Sequence, residues 1–136
     1  IYDQYTDAVF PNKVECYYYG QSLPFAKKAV ESVKNFLNGC EFRNSEVNGL
    51  GFDDYADLVN AQYGSTSLST AINNQFDQAI SSIDLIDDPL SDQLTSNRAG
   101  VQTVYDNLQQ LVILIKNDLT SSALGIQITY ADNDGD

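Results

Sequence analysis

The last five residues carry the pattern that most resembles a ligand-binding motif. They read Asp132-Asn133-Asp134-Gly135-Asp136, so that oxygen-bearing side chains alternate and a glycine stands at a turn. This order resembles the first half of an EF-hand calcium loop, which also needs a glutamate six positions beyond the glycine and a helix after it. The sequence ends before either. We therefore favour a solvated acidic tail, with Asp132, Asp134 and Asp136 as the candidate metal ligands and calcium as the alternative cofactor.

A second group of carboxylates, Asp84, Asp87 and Asp88, stands just before Pro89. The residue before a proline avoids the α-helical region, so a helix is predicted to end here. Three like charges at a helix C-terminus oppose the helix dipole unless cations or backbone amides balance them. We interpret this cluster as a polar loop whose aspartates make turn contacts.

The tyrosine run Tyr17-Tyr18-Tyr19 offers phenolate oxygens, and Glu15 a carboxylate, all of which ferric iron would accept. Adjacent side chains point in different directions on a regular backbone, so the three tyrosines cannot share one site. We expect aromatic packing instead.

No familiar catalytic motif is found in the sequence. Histidine is absent, which excludes a Cys/His zinc site or a Cys-His catalytic pair within this chain. The sequence also lacks Gly-x-Ser-x-Gly, a nucleotide-binding glycine loop and a zinc motif. It therefore predicts no catalytic residue and no cofactor-binding residue.

The net charge of −12 is unevenly distributed. Residues 1–43 hold five basic and five acidic residues, whereas residues 44–136 hold two basic and fourteen acidic ones. A surface of that sign repels phosphate backbones and anionic lipid headgroups, so nucleic acid is not expected as a partner. No apolar run approaches the roughly 20 residues that span a bilayer.

The two cysteines, Cys16 and Cys40, could be buried thiols or one disulfide in an oxidising compartment. If the protein matures in the cell envelope we expect the disulfide, which the loop-entropy model values at roughly 3 kcal/mol. Such a bridge requires the segment after Cys16 to run back, extended, along the following helix.

Apolar periodicity and turn residues predict about four helices in one domain, residues 1–136, as an all-α antiparallel helical bundle. Residues 1–20 are irregular in this prediction, the tail is acidic, and residues 126–130 alternate like a strand without a partner. The helices are predicted from Ser22 as N-cap to Gly39, from about 52 to 62 with Gly64 closing the helix, from about 67 to 83, and from 95 or 96 to before Gly125.

Two of these helices have apolar stripes that we expect to face the core. In the first helix the stripe comprises Phe25, Ala26, Ala29, Val30, Val33, Phe36 and Leu37. In the last it comprises Val101, Val104, Tyr105, Leu108, Leu111, Val112, Ile115 and Leu119. Every residue of the run 111–115 is apolar, which predicts a helical turn surrounded by protein.

Several segments resemble the C-terminal part of imelysin-like proteins. The residues that carry this resemblance are Asn48-Gly49-Leu50-Gly51-Phe52-Asp53-Asp54-Tyr55, Ile86-Asp87-Asp88-Pro89-Leu90, Tyr105-Asp106-Asn107-Leu108-Gln109-Gln110-Leu111, Leu124-Gly125-Ile126 and the terminal Asp132-Asn133-Asp134-Gly135-Asp136. The resemblance spans roughly residues 17–136.

This resemblance implies a helical-bundle protein of the bacterial periplasm or outer-membrane surface, attached to the membrane only through a lipid anchor outside this chain. The family is linked to iron-regulated uptake and was first named for a metallopeptidase. Its glycine, histidine and glutamate motif matches nothing in this histidine-free chain. Iron as a cofactor is therefore expected only for a longer parent.

Three functions are compatible with the sequence. The first is a non-catalytic domain of an iron-uptake-related envelope protein, whose partner is the motif-bearing N-terminal half. The second is part of an imelysin-type metallopeptidase whose metal motif lies in that half. The third is a generic acidic binding module of the envelope.

Overall fold

The structure, a computed structural model, describes residues 2–3, 8–41 and 44–126. Helices dominate these residues, as predicted. Five α-helices are present in this part of the chain: α1 (Ser22–Leu37), α2 (Phe52–Leu58), α3 (Leu68–Asp84), α4 (Leu90–Ser96) and α5 (Arg98–Ile113). A 3₁₀ turn over Pro11–Lys13 precedes them, and a π-helix over Leu114–Ala123 continues α5.

Strands occur in the described residues only as three separate two-stranded antiparallel hairpins. The strands are β1 (Tyr2–Asp3) with β2 (Ala8–Val9), β3 (Cys40–Glu41) with β4 (Asn44–Asn48), and β5 (Gln62–Tyr63) with β6 (Thr66–Ser67). The predicted fold class, mainly α without a substantial sheet, is confirmed.

Polar contacts along α1 and α3 show that these two helices are antiparallel. Lys27 pairs with Asp84 at 2.7 Å, and Lys34 pairs with Asp77 at 2.5 Å. Nearer the end of α1, the Asn38 amide donates to the Asn73 side-chain oxygen at 2.7 Å. Residue numbers rise along one helix as they fall along the other.

The α3–α5 pair is antiparallel as well. The buried Gln75 amide of α3 donates to the backbone carbonyl of Asn107 in α5 at 2.9 Å. At the other end, a Cβ at Gly100 would stand 2.6 Å from Ile86, just after α3. The helix α3 therefore lies between α1 and α5 as the central element.

Two apolar clusters form the core. The larger consists of Leu37, Ala56, Ala61, Leu68, Ile72, Phe76, Leu111, Leu114, Leu119 and Ala123, with Val30 and Ile115 against it. The smaller consists of Leu23, Ile83 and Ile86, with Val30, Leu90 and Val104 against it. Phe76 and Leu68 of α3 are fully buried, so the central helix supplies the middle of the core.

Two of the predicted helix ends are wrong. Ser22 is the first residue of α1 rather than its N-cap, and its hydroxyl donates to the backbone carbonyl of Glu15. Helix α2 ends at Leu58 rather than near residue 62, because Asn60 adopts a left-handed conformation at φ 54°. Gly64 therefore does not close α2; it lies in the turn between β5 and β6.

A further helix, which was not predicted, precedes the last predicted one. This seven-residue helix, α4, is too short for its periodicity to stand out in the sequence. The long helix begins after Asn97, whose side chain accepts from the Gly100 amide at 3.3 Å.

The predicted buried stripes are only partly correct. On α1, Val30 and Leu37 contact the core, but Phe25 and Phe36 are exposed. The side of α1 that packs against the core carries Leu23, Val30 and Leu37. Lys27 and Lys34 lie on this side and pair with carboxylates of α3. In the run 111–115, Leu111 and Leu114 are buried, whereas Val112 and Ile113 are exposed. That helical turn is one-sided rather than surrounded.

Candidate binding surface

An uncovered apolar strip runs along α1. Phe25, Ala29, Val33 and Phe36 follow one another at helical spacing and are all exposed. Phe25 keeps 54% of its surface in solvent and Phe36 keeps 69%. Burial against a partner is the usual reason for a contiguous apolar strip of this kind on a globular protein.

The strip continues past the end of α1 onto α2. The rings of Phe36 and Phe52 lie 6.0 Å apart and are tilted by 46°. Leu50, which precedes α2, is 92% exposed, and Tyr55 is exposed on the next turn. We call these seven residues the α1–α2 surface: Phe25, Ala29, Val33, Phe36, Leu50, Phe52 and Tyr55.

Close backbone contact joins the two helices beneath this surface. Gly39 ends α1 with φ +63°, and a Cβ there would stand 2.6 Å from the Leu50 carbonyl carbon. A Cβ at Gly51 would stand 2.5 Å from the Leu37 carbonyl oxygen. Because both positions lack a side chain, the start of α2 can approach the end of α1 closely enough for their phenylalanines to meet.

The first turn of α2 places two carboxylates beside the apolar surface. Asp54 accepts from the Gly51 backbone amide at 2.9 Å, which caps the helix. One carboxylate oxygen of Asp53, Oδ1, is buried and has no hydrogen-bond partner among the described residues. Both aspartates stabilise the positive end of the α2 dipole.

Asp53 also lines a small cleft together with Asn38, Ser69 and Asn73. The volume inside this cleft is about 10 Å³. That is the size of one water molecule, whereas small-molecule sites usually measure roughly 300–1,000 Å³. The cleft is therefore too small for an organic substrate.

The predicted cluster of Asp84, Asp87 and Asp88 is split between two contacts with α1. Asp84 binds Lys27 with both carboxylate oxygens at 2.7 Å. This hydrogen bond, together with the charge of Asp84, raises the pKa of Lys27 above its ordinary value of 10.5. Asp88 accepts from the backbone amide of Leu23 at 3.4 Å, at the start of α1. A cation and a backbone amide of α1 thus balance two of these charges, so Asp84 and Asp88 contact another helix rather than making the predicted turn contacts.

The tyrosine run does not pack into the core. The rings of Tyr17 and Tyr18 contact each other edge to face with centroids 5.2 Å apart. Tyr18 is fully exposed and Tyr19 is largely exposed. The prediction of aromatic packing is confirmed for Tyr17 and Tyr18, which pack on each other at the surface rather than in the core.

The predicted disulfide between Cys16 and Cys40 is absent, and both residues are described. Cys16 lies before α1 and Cys40 lies after it, at opposite ends of a helix that is about 24 Å long at 1.5 Å per residue. A disulfide would require the segment after Cys16 to run extended along α1. This segment is not extended, because the backbone amides of Tyr19 and Gly20 both donate to the Cys16 carbonyl in a tight turn.

Asp132, Asp134 and Asp136 lie outside the described residues, as does most of the predicted strand 126–130. Within the described ranges, no group of three or more Cys, Asp or Glu side chains is placed to hold a metal ion. No helix in those same ranges is both long and apolar enough to cross a bilayer.

The sequence does not reveal the α1–α2 surface as a site, because Phe25, Val33 and Phe36 have the same spacing as a buried stripe. The sequence does indicate that α1 has a second apolar face. The helix also carries Leu23, Val30 and Leu37 at intervals of seven, so its apolar residues cover more than one face. A helix with two apolar faces contacts two different partners.

Comparison of the sequence with protein-family models found no match, and searches of curated proteins and of solved structures found none either. The resemblance to imelysin-like proteins stays a prediction.

Proposed function

We propose that this chain is a non-catalytic binding domain that docks another protein on its α1–α2 surface. The observation that carries the proposal is the uncovered apolar strip on α1, with Phe25 at 54% and Phe36 at 69% exposure. A helix of a globular domain normally turns its largest apolar side chains inward. In α1 the side that faces the core carries Lys27 and Lys34, whereas the aromatic side chains of Phe25 and Phe36 face solvent.

The size of this surface supports the proposal. A fully exposed aromatic side chain presents roughly 150–250 Å², so the exposed parts of Phe25, Phe36 and Phe52 amount to about 300 Å². Val33, Leu50 and Tyr55 bring the total to about 600 Å². The largest apolar patch on a monomer is about 300–600 Å² and is often functional.

Substitution of the exposed aromatic residue tests whether this surface is available. In dilute solution, Phe36→Gln is expected to change the free energy of unfolding by about 0.5 kcal/mol or less, because its ring is mostly in solvent. Phe76→Ala, at a fully buried position of α3, is expected to cost about 3–5 kcal/mol. Urea unfolding measures both. Equal losses would mean that Phe36 belongs to a core, and the proposed function would fail.

The non-catalytic part of the proposal is tested separately. A metallopeptidase needs ligands and a general base around an open metal position, and histidine nitrogen is the usual ligand in zinc proteases. The chain has no histidine, so we expect no peptide hydrolysis by the purified protein. Chelator-sensitive cleavage would contradict this.

From the resemblance to imelysin-like proteins we propose that this domain belongs to an envelope protein linked to iron uptake. In that protein the motif-bearing half holds the metal. We therefore expect this chain alone to bind iron weakly and without a defined stoichiometry. Diffuse attraction to its acidic surface is screened within about 8 Å at physiological salt. Calorimetry with Fe²⁺, an Fe³⁺ chelate and Ca²⁺ is the measurement. Tight one-to-one iron binding that survives Asp132→Asn and Asp134→Asn would overturn this expectation.

A further inference from the structure

The α1 part of the surface has nearly the same pattern in both chain directions. Phe25, Ala29, Val33 and Phe36 are spaced by four, four and three residues, with aromatic rings at both ends and smaller side chains between them. A two-fold symmetric interface requires a patch that complements itself. When two such helices pack antiparallel, the large rings of each lie at the ends of the contact and the small residues allow close approach in the middle.

We propose that the occupant of the α1–α2 surface is a second copy of this chain, with the two α1 helices packed antiparallel about a two-fold axis. This inference rests on the proposed function, since it names the protein that docks. Phe25 of one copy then contacts Phe36 of the other, and Ala29 contacts Val33. The contact between Phe36 and Phe52 extends the interface onto α2 at each end.

The charge distribution favours this face for self-association. Residues 8–41 hold four lysines and three glutamates, whereas residues 49–126 hold ten aspartates and only Arg98 and Lys116. Two chains of net charge −12 repel each other across the strongly acidic part. They approach with little repulsion through α1.

The expected dimer is weak. If each copy contributes about 600 Å², the pair buries about 1,200 Å², the lower end of the range for specific interfaces. For a contact at this lower end we expect micromolar rather than nanomolar dissociation. The dimer is expected to dissociate on dilution.

Sedimentation equilibrium from about 1 μM to about 1 mM covers that range. The mean mass should rise with concentration from that of one chain, 15.0 kDa, towards twice that value. Phe25→Gln is expected to raise the dissociation constant at least about tenfold. Tyr105→Gln is the matched control, because Tyr105 is also 54% exposed but lies on α5. A single-chain mass throughout, or equal effects of the two substitutions, would overturn the inference.

A charge-swap experiment tests the antiparallel register. Ala29→Lys and Val33→Glu each place a charge in the interface, so each variant alone should stay monomeric. Mixed in equal amounts they should recover the dimer, because the lysine of one chain faces the glutamate of the other. Both positions are exposed in the single chain, so the circular dichroism of each variant should remain helical. A mixture that stays monomeric would contradict the proposed register.

The two proposals fail in different ways. If the protein is monomeric at every concentration and dilute Phe36→Gln unfolds like wild type, the dimer is wrong while the surface stays available to a different protein. If dilute monomeric Phe36→Gln is as unstable as Phe76→Ala, Phe36 belongs to a core and the surface is not available to a partner. In that case both proposals fail.

Discussion

Lys27 and Lys34 lie on the side of α1 that packs against α3. Each bridges to an aspartate of α3, and each is less than one-third exposed. Long lysine side chains bury their methylene stems while the ammonium group stays at the surface, so they fill positions that a purely apolar stripe would otherwise occupy. The aromatic side chains of α1 lie on the opposite side.

The raised pKa of Lys27 leads to a pH-dependent prediction. The ion pair with Asp84 favours the charged ammonium in the folded state, so its stabilising contribution is complete below the ordinary lysine pKa of 10.5. It is lost as the pH rises through the higher folded value. The melting temperature of Lys27→Gln should therefore be below that of wild type near pH 8, and the difference should disappear at alkaline pH.

Lys28→Gln is the matched control, since Lys28 bridges only to Glu31 on the same helix and is 78% exposed. Its effect near pH 8 should be smaller than that of Lys27→Gln, because exposed pairs within a helix contribute little. A difference between wild type and Lys27→Gln that persists unchanged to the highest pH would contradict the role of the ion pair.

At the scale of elements, the joint between α1 and α2 depends on glycine. Gly39 and Gly64 have nearly equal φ angles, +63° and +61°, so alanine should cost about 1–2 kcal/mol at either position from backbone strain. At Gly39 the added Cβ also meets the Leu50 carbonyl at 2.6 Å, whereas nothing lies within 4 Å at Gly64. Gly39→Ala should therefore lose a further 1–3 kcal/mol or so. Urea unfolding of both variants measures the difference, and equal losses would show that the close approach is unimportant.

The one-sided burial of the apolar run in α5 gives another matched pair. Leu111→Asp buries an unpaired carboxylate, which costs several kcal/mol against a total stability of roughly 5–15 kcal/mol. Val112→Asp, at a position 39% exposed, should cost about 1 kcal/mol or less. Thermal melting distinguishes them. Similar melting temperatures for the two variants would place the core boundary elsewhere.

At the scale of the whole molecule, the sequence predicted the helices better than their orientations. The ends of α3 were predictable because Ser67 caps it and an aspartate pair before Pro89 stops it. The joint at Gly39 was predictable from its residue type. The end of α2 was not, because the left-handed conformation of Asn60 depends on the hairpin that follows.

The candidate site could not be predicted from the sequence for a related reason. Phe25, Val33 and Phe36 have the same spacing whether they face a core or a partner, and the hydrophobic effect does not distinguish the two. The face of α1 that turns inward is the one on which Leu23, Val30 and Leu37 pack against the core. On the same face Lys27 and Lys34 form ion pairs with α3. These pairs join residues that are far apart in the sequence.

The dependence of thermal stability on chain concentration tests the central claim most directly. A folded dimer that unfolds to single chains melts at a higher temperature when the concentration is raised, because association stabilises only the folded state. Scanning calorimetry at about 5 μM and about 500 μM should therefore show a rising melting temperature for wild type and a constant one for Phe36→Gln. A wild-type melting temperature that does not change with concentration would contradict the claim that α1 presents its apolar strip to a second copy.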